Sequence, residues 1–209
     1  MEIHAPDHPV HSFREFAIHI GIVTIGILIA LSLEGIRESI HEHRLVHEAR
    51  ENFRRELGID RDHIQQELSV VRRISNKLQR TIPQLSALAK QPGAINQELA
   101  KSRNSGYFFF LNSWQTALST GALAHMSSEE VLQYAAAEYD IRYYSNLQTQ
   151  TLAAQGNAIA FFLSHPNPNP EELKQGLEKL MLFSQAEESL SYVGDQLQGA
   201  INAAYERTK

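Results

Sequence analysis

Residues 64–89, IQQELSVVRRISNKLQRTIPQLSALA, place Ile64, Val71, Leu78 and Leu85 seven apart, with Leu68, Ser75, Ile82 and Ala89 four residues after each. Apolar positions recurring at alternating intervals of four and three mark a helix that buries one stripe, and here the stripe lasts almost four heptads. The seam predicts an all-α fold in which this helix packs into an antiparallel helical bundle. Pro83 is expected to kink or end the helix, and Gly58 to bend it just before the seam begins.

Upstream of the seam nothing stops the helix. Glu34 to Leu57 is rich in Glu, Arg, Ala and Leu, has no proline, and offers opposite charges at helical spacing, such as Glu34/Arg37 and Glu51/Arg55. Further back, Phe16 to Leu33 (FAIHIGIVTIGILIALSL) carries no formal charge. At ~1.5 Å per residue this stretch is about 27 Å long, close to one bilayer hydrocarbon core. The organisation that follows is an irregular N-terminal arm over 1–12, a transmembrane anchor over 13–35, a helical stalk over 36–63 and a helical bundle domain over 64–209. A signal peptide cleaved after Ala30-Leu31-Ser32 is the main alternative, but the apolar run is long for one and its leader is acidic. A buried helix of a soluble protein is the third possibility, and a 209-residue chain has little core to hide one.

Downstream, Gln91 to Gly106 reads as a connector. A second helix is expected over Phe108–Ser119 with Gly121 as its C-cap, and a third from Ser127 or Ser128 to about Ser164, with Ser127 and Glu130 as a capping box. Asn169, Pro170 and Glu171-Glu172 form the strongest helix start in the chain, and the last helix runs from there towards Tyr205.

Within the anchor, His19, Val23, Gly26, Ala30 and Leu33 share one stripe, and its small residues allow a second helix to approach closely in lipid. His19 is the one ionisable residue of the span. Arg14 alone precedes the span, whereas Arg37, Arg44, Arg50, Arg54 and Arg55 follow it, which favours a cytoplasmic C-terminal domain; five Glu interleave with those Arg. Net charge is −5 with no basic stripe, so nucleic acid is not an expected partner. The chain has no cysteine, which removes disulfides and thiolate chemistry.

Eight of the ten histidines fall in the first 63 residues. His43, His47 and Glu51 repeat every four residues on one helical face and are the candidate metal ligands, against the bland alternative of scattered histidines on an exposed stalk. Glu38 with His41 matches the Glu-x-x-His element of di-iron bundles, but only one copy exists. His4, His8 and His11 read as part of a polar tail. Phe108 to Leu111 with Trp114, and then Tyr134, Tyr139, Tyr143 and Tyr144, concentrate aromatic mass; Phe109, Trp114, Tyr139 and Tyr143 are expected in the bundle core, or lining an aromatic pocket. His125 and Met126 are expected to cover one end of it. No nucleophile elbow, phosphate loop or zincin motif occurs, so an enzyme and a bound cofactor are not expected.

Arg14-Glu15-Phe16, Gly26-Ile27-Leu28-Ile29-Ala30-Leu31 and Arg37-Glu38, followed by Trp114-Gln115-Thr116-Ala117, Thr120-Gly121-Ala122-Leu123 and Tyr139, resemble a family of uncharacterised bacterial proteins. That family has an "EF…GILIAL" anchor and a later "W..A…SG.L" segment. The resemblance implies a short inside N-terminus, one span of the inner membrane and an exported, periplasmic helical domain, and it brings no activity. The acidic leader departs from the family's usual Lys and Arg. The expected role is a non-enzymatic membrane scaffold that forms homo-oligomers or joins a larger membrane complex, with a ligand- or metal-sensing bundle as the alternative.

Overall fold

The computed structural model of the chain describes residues 13–88 and 107–208. It contains four α-helices, α1 (Phe13–Leu88), α2 (Asn112–Thr120), α3 (Ser128–Ser164) and α4 (Pro170–Glu206), with a 3₁₀ turn at Ala122–His125. No strand occurs among the described residues, and the fold is the expected helical bundle with a long N-terminal helix. The arm with His4, His8 and His11, the connector from Gln91 to Gly106, and Ala89 at the end of the seam lie outside the described residues.

Helix α1 has 76 residues, so at ~1.5 Å per residue it is about 110 Å long. Its apolar N-terminal part is long enough to cross a membrane, and none of it is buried against the rest of the chain. The seam from Ile64 through Leu68, Val71, Ser75 and Leu78 to Leu85 is buried, with Ile82 half-buried beside it. Burial also extends towards the N-terminus of α1, through Leu57, Phe53 and Ala49 to Val46. The bundle therefore begins about 18 residues earlier than Ile64, and the free stalk is nearer 36–45 than 36–63. The apolar pattern breaks there because Asp60 and Glu67, both buried, occupy core-facing positions. The helix passes through Gly58, which lies against the ring of Tyr205, and through Pro83, which is exposed in the last turns. Proline there removes one hydrogen bond, while Leu85 beyond it packs into the core and holds the final turn.

Helix α4 runs antiparallel to both α1 and α3: Gly58 meets Tyr205 and Leu68 meets Gly194 on one side, and Phe162 meets Gly176 while Glu129 pairs with Arg207 on the other. Helices α1 and α3 are consequently parallel, and the chain must come back between them. It returns as an extended strap, Tyr107–Leu111, then α2 and the 3₁₀ turn, which descend along α1 past Glu67, Glu56 and Glu42 in turn. The half of the bundle nearer the apolar N-terminal stretch thus has four segments around Phe53, Phe109, Tyr134 and Tyr144. The distal half has three helices around Ile74, Leu78, Phe162, Leu180 and Phe183.

The run Tyr107 to Leu111 is extended and not the first turn of a helix beginning at Phe108. Phe109 and Leu111 are buried while Phe108 and Phe110 are exposed, an alternation only an extended segment can produce. Helix ends follow local chemistry. Gly121 takes φ +79° and closes α2, a left-handed geometry that costs a side-chain-bearing residue about 1–2 kcal/mol. Asn169 and Glu172 form a full capping box at α4. At α3 only half of the expected box forms: Ser127 accepts from the Glu130 N–H at 3.2 Å, but the Glu130 carboxylate turns inward to Arg50.

Gly194 and Gly199 sit on the same helix in opposite environments. A methyl at Gly194 would run into the Leu68 side chain and the Tyr144 ring, whereas one at Gly199 would meet nothing. Gly194→Ala is expected to lower stability by about 1–3 kcal/mol through overpacking. Gly199→Ala is expected to raise it by up to ~1 kcal/mol through helix propensity. Urea unfolding midpoints of the two variants check both signs.

Candidate functional site: the anchor face and the buried carboxylates

The residues of the expected anchor face point outward together. His19, Val23, Gly26, Ala30 and Leu33 are all exposed on one side of α1, and a methyl added at Gly21 or Gly26 would touch nothing. His19 Nδ1 donates to the Glu15 carbonyl at 2.9 Å and Ser32 Oγ to the Leu28 carbonyl at 2.7 Å. Both side chains are thus bonded within the helix itself. Among the described residues, this is the longest apolar surface that no other part of the chain covers.

His43, His47 and Glu51 are exposed on α1, and His43 Nδ1 donates to the Ser39 carbonyl at 2.7 Å. Among the described residues no three His, Asp or Glu are grouped so as to hold a metal ion. The 3₁₀ turn reaches α1 at this level, with His125 Nδ1 3.5 Å from Glu42 Oε1. Met126 is buried at that end of the core while His125 stays exposed.

The aromatic expectation divides. Phe109 is buried and Trp114 packs half-buried against the core. Tyr139 and Tyr143 are 60% and 46% exposed and stack on each other at 6.3 Å, outside the bundle. The buried face of α3 runs through Tyr134, Ala137, Ile141, Tyr144, Gln148 and Thr151, and helical periodicity puts 139 and 143 on the opposite side. Tyr134, stacked on Phe53 at 4.0 Å, and Tyr144, edge-on to Phe109, take the central places.

The polar residues that converge inside the bundle are ones the linear pattern hid. On the strap-facing side of α1, Glu56, Asp60 and Glu67 hold the returning chain. Glu67 accepts from the Tyr107 N–H at 3.2 Å and from Gln148 Nε2 at 3.0 Å. Asp60 accepts a long bond, 3.4 Å, from the Tyr107 hydroxyl. Glu56 accepts from both the N–H and the hydroxyl of Ser113, at 2.8 and 2.7 Å. On the α3 side, Ser145 Oγ donates to the Phe109 carbonyl at 3.3 Å and Gln148 Nε2 to the Tyr107 carbonyl at 3.1 Å. Burial pushes the Asp60 carboxyl up to about 7, and the neighbouring Glu56 charge adds to this. Burial also raises Glu67, against the pull of its Tyr107 and Gln148 bonds. The Tyr144 hydroxyl is raised by burial and by Glu67 and Glu187.

A second buried carboxylate is treated oppositely. Arg50 grips Glu130 with two bonds of 2.7 and 2.8 Å, and Tyr134 donates to it at 3.2 Å. The guanidinium holds Glu130 below the usual carboxylate range despite its burial.

Helix α2 lacks a capping side chain of its own, since Leu111 occupies its N-cap. Glu56, 57 residues away in sequence, supplies the acceptor at its first turn. Glu56→Ala should therefore act as the loss of a helix cap and cost about 1–2 kcal/mol. Amide exchange should rise first in α2, which hydrogen–deuterium exchange resolved by segment would record.

No protein-family model, no curated protein and no solved structure matches this chain, so its function has to be argued from its own residues.

Proposed function

We propose that the chain is a non-catalytic, membrane-anchored helical scaffold of the bacterial inner membrane, which self-associates or serves as an accessory subunit of a larger membrane complex. The observation that carries this is the continuity of α1: an uncovered, charge-free stretch passes without a break into the helix that supplies the bundle core. Uncovered apolar surface of that length is stable only against lipid or against another helix. The small residues Gly26 and Ala30 leave room for a helix to approach, and His19 gives the face a polar handle. The polar groups gathered inside the bundle are engaged in holding the strap, which favours a structural role over a catalytic one. The resemblance in the anchor and in the Trp114–Leu123 segment supports a periplasmic bundle, while the arginines from Arg37 to Arg55 pull the other way.

Mass measurement of the full chain in mild detergent, beside a chain lacking residues 1–35, tests the proposal. A defined oligomer that becomes monomeric on truncation, and on Gly26→Leu with Ala30→Leu, is the expected result. Monomers in both forms, with no co-purifying subunit, would overturn it. Protease accessibility of the bundle in spheroplasts assigns the side of the membrane, with cleavage expected from outside.

A further inference from the structure

We infer that the strap Tyr107–Leu111 and the start of α2 form a proton-operated clasp, closed on α1 while Asp60 carries a proton and loosened when that carboxylate ionises. The strap is the wedge between the parallel helices α1 and α3, tied to both by the bonds described above. On the α1 side its polar bonds end on carboxylates: the Tyr107 N–H on Glu67, the Tyr107 hydroxyl on Asp60, and Ser113 on Glu56. Asp60 is 3% exposed, and its Oδ2 has no hydrogen-bond partner among the described residues.

The groups around this carboxylate leave its charge poorly compensated. Glu56, one turn before it on α1, is acidic; Tyr107 on the strap is neutral; His63 on α1, stacked on the Tyr107 ring at 4.2 Å, is the one group acting on Asp60 that can turn positive. Arg61, next in sequence, lies over the Tyr205 ring on α4. Deeper in, α1 contributes Glu67, α3 contributes Tyr144 and Gln148, and α4 contributes the fully buried Glu187, so the interior offers further negative charge. A neutral carboxyl fits here, with Oδ1 accepting from Tyr107 and the proton elsewhere on the group. An ionised one is a buried charge beside Glu56 with one oxygen unsatisfied, and parting the strap from α1 lets water reach it.

The sign follows from linkage. The closed state holds the Asp60 proton up to about pH 7, whereas a solvated Asp releases it near 3.9. Closing therefore binds a proton, and the closed fraction falls as pH rises across that window, levelling off above 7.

Trp114, the one tryptophan of the chain, lies next to Ser113 and half-buried against the core, so its emission and quenching report the clasp. For the full chain in detergent, the opening constant should rise by up to tenfold per pH unit between about pH 5 and 7 and then flatten. Amide exchange at 107–114, corrected for its intrinsic pH dependence, should follow the same curve. Asp60→Asn should stay closed and lose the transition, while His63→Gln should keep it. Absence of a transition in the native chain, its survival in Asp60→Asn, or its loss in His63→Gln would overturn the inference. Should Asp60→Asn fail to fold, Tyr107→Phe decides: it removes a hydroxyl that favours the ionised form of Asp60, so the pH at which the opening constant flattens must move up whatever the change in overall closure, and an unmoved plateau overturns the assignment.

Discussion

One backbone passes through three surroundings in this protein, and the rest of the structure is arranged around that constraint. Helix α1 shows mainly apolar side chains over its first 20-odd residues, a mixture of charged and polar ones with Ile36 and Ile40 around 34–44, and an apolar stripe from Val46 onward. No turn separates these sections, so any force on the span is transmitted to the bundle along a single hydrogen-bonded rod. A hinge at Gly58 would have uncoupled the two. Instead the Tyr205 ring of α4 lies against Gly58, and the missing side chain serves packing.

The parallel course of α1 and α3 follows from the same rod. With α4 antiparallel to both, a chain leaving the far end of α1 must travel back before α3 can begin, and that return has to run past an apolar core. A helix at the level of Asp60 to Glu67 would satisfy its own backbone; an extended strap cannot, and its N–H and C=O groups need partners from the neighbouring helices. Glu67, Gln148 and Ser145 meet that need. Carboxylates at core-facing positions of α1 are thus the counterpart of an extended segment in an otherwise helical interior.

This explains what could and could not be seen from the linear chain. The seam at Ile64–Leu85 and the caps at Asn169 and Gly121 are local chemistry, and each stands where spacing and residue type put it. The beginning of the core at Val46 was masked because Asp60 interrupts the apolar pattern, and polar residues there look like solvent-facing ones until the strap that they bind is placed. Tyr139 and Tyr143 illustrate the reverse error: four tyrosines in eleven positions of one helix cannot share a face, and only the phase set by Ile141 and Gln148 decides that 134 and 144 turn inward. Glu130 matched a capping-box pattern, yet an arginine 80 residues away outcompeted the backbone for its carboxylate. Long-range partners of charged groups are the part that spacing does not encode.

The two kinds of buried carboxylate give the half of the bundle nearer the apolar N-terminal stretch a pH preference on both sides. Glu130, held low by Arg50, stabilises the fold above its ordinary range and ceases to do so as pH falls through that range and below. Asp60, raised by burial, does the opposite, favouring the packed state at lower pH and opposing it as pH climbs towards 7. The first pair joins α1 to the start of α3; the second joins α1 to the strap. Acid therefore loosens the α1–α3 tie while tightening the strap, and base does the reverse, so the two links cannot be optimal at one extreme. Their overlap lies between the ordinary Glu value and 7. In that mildly acidic window, both seams that connect the long N-terminal helix to the rest of the bundle are closed at once.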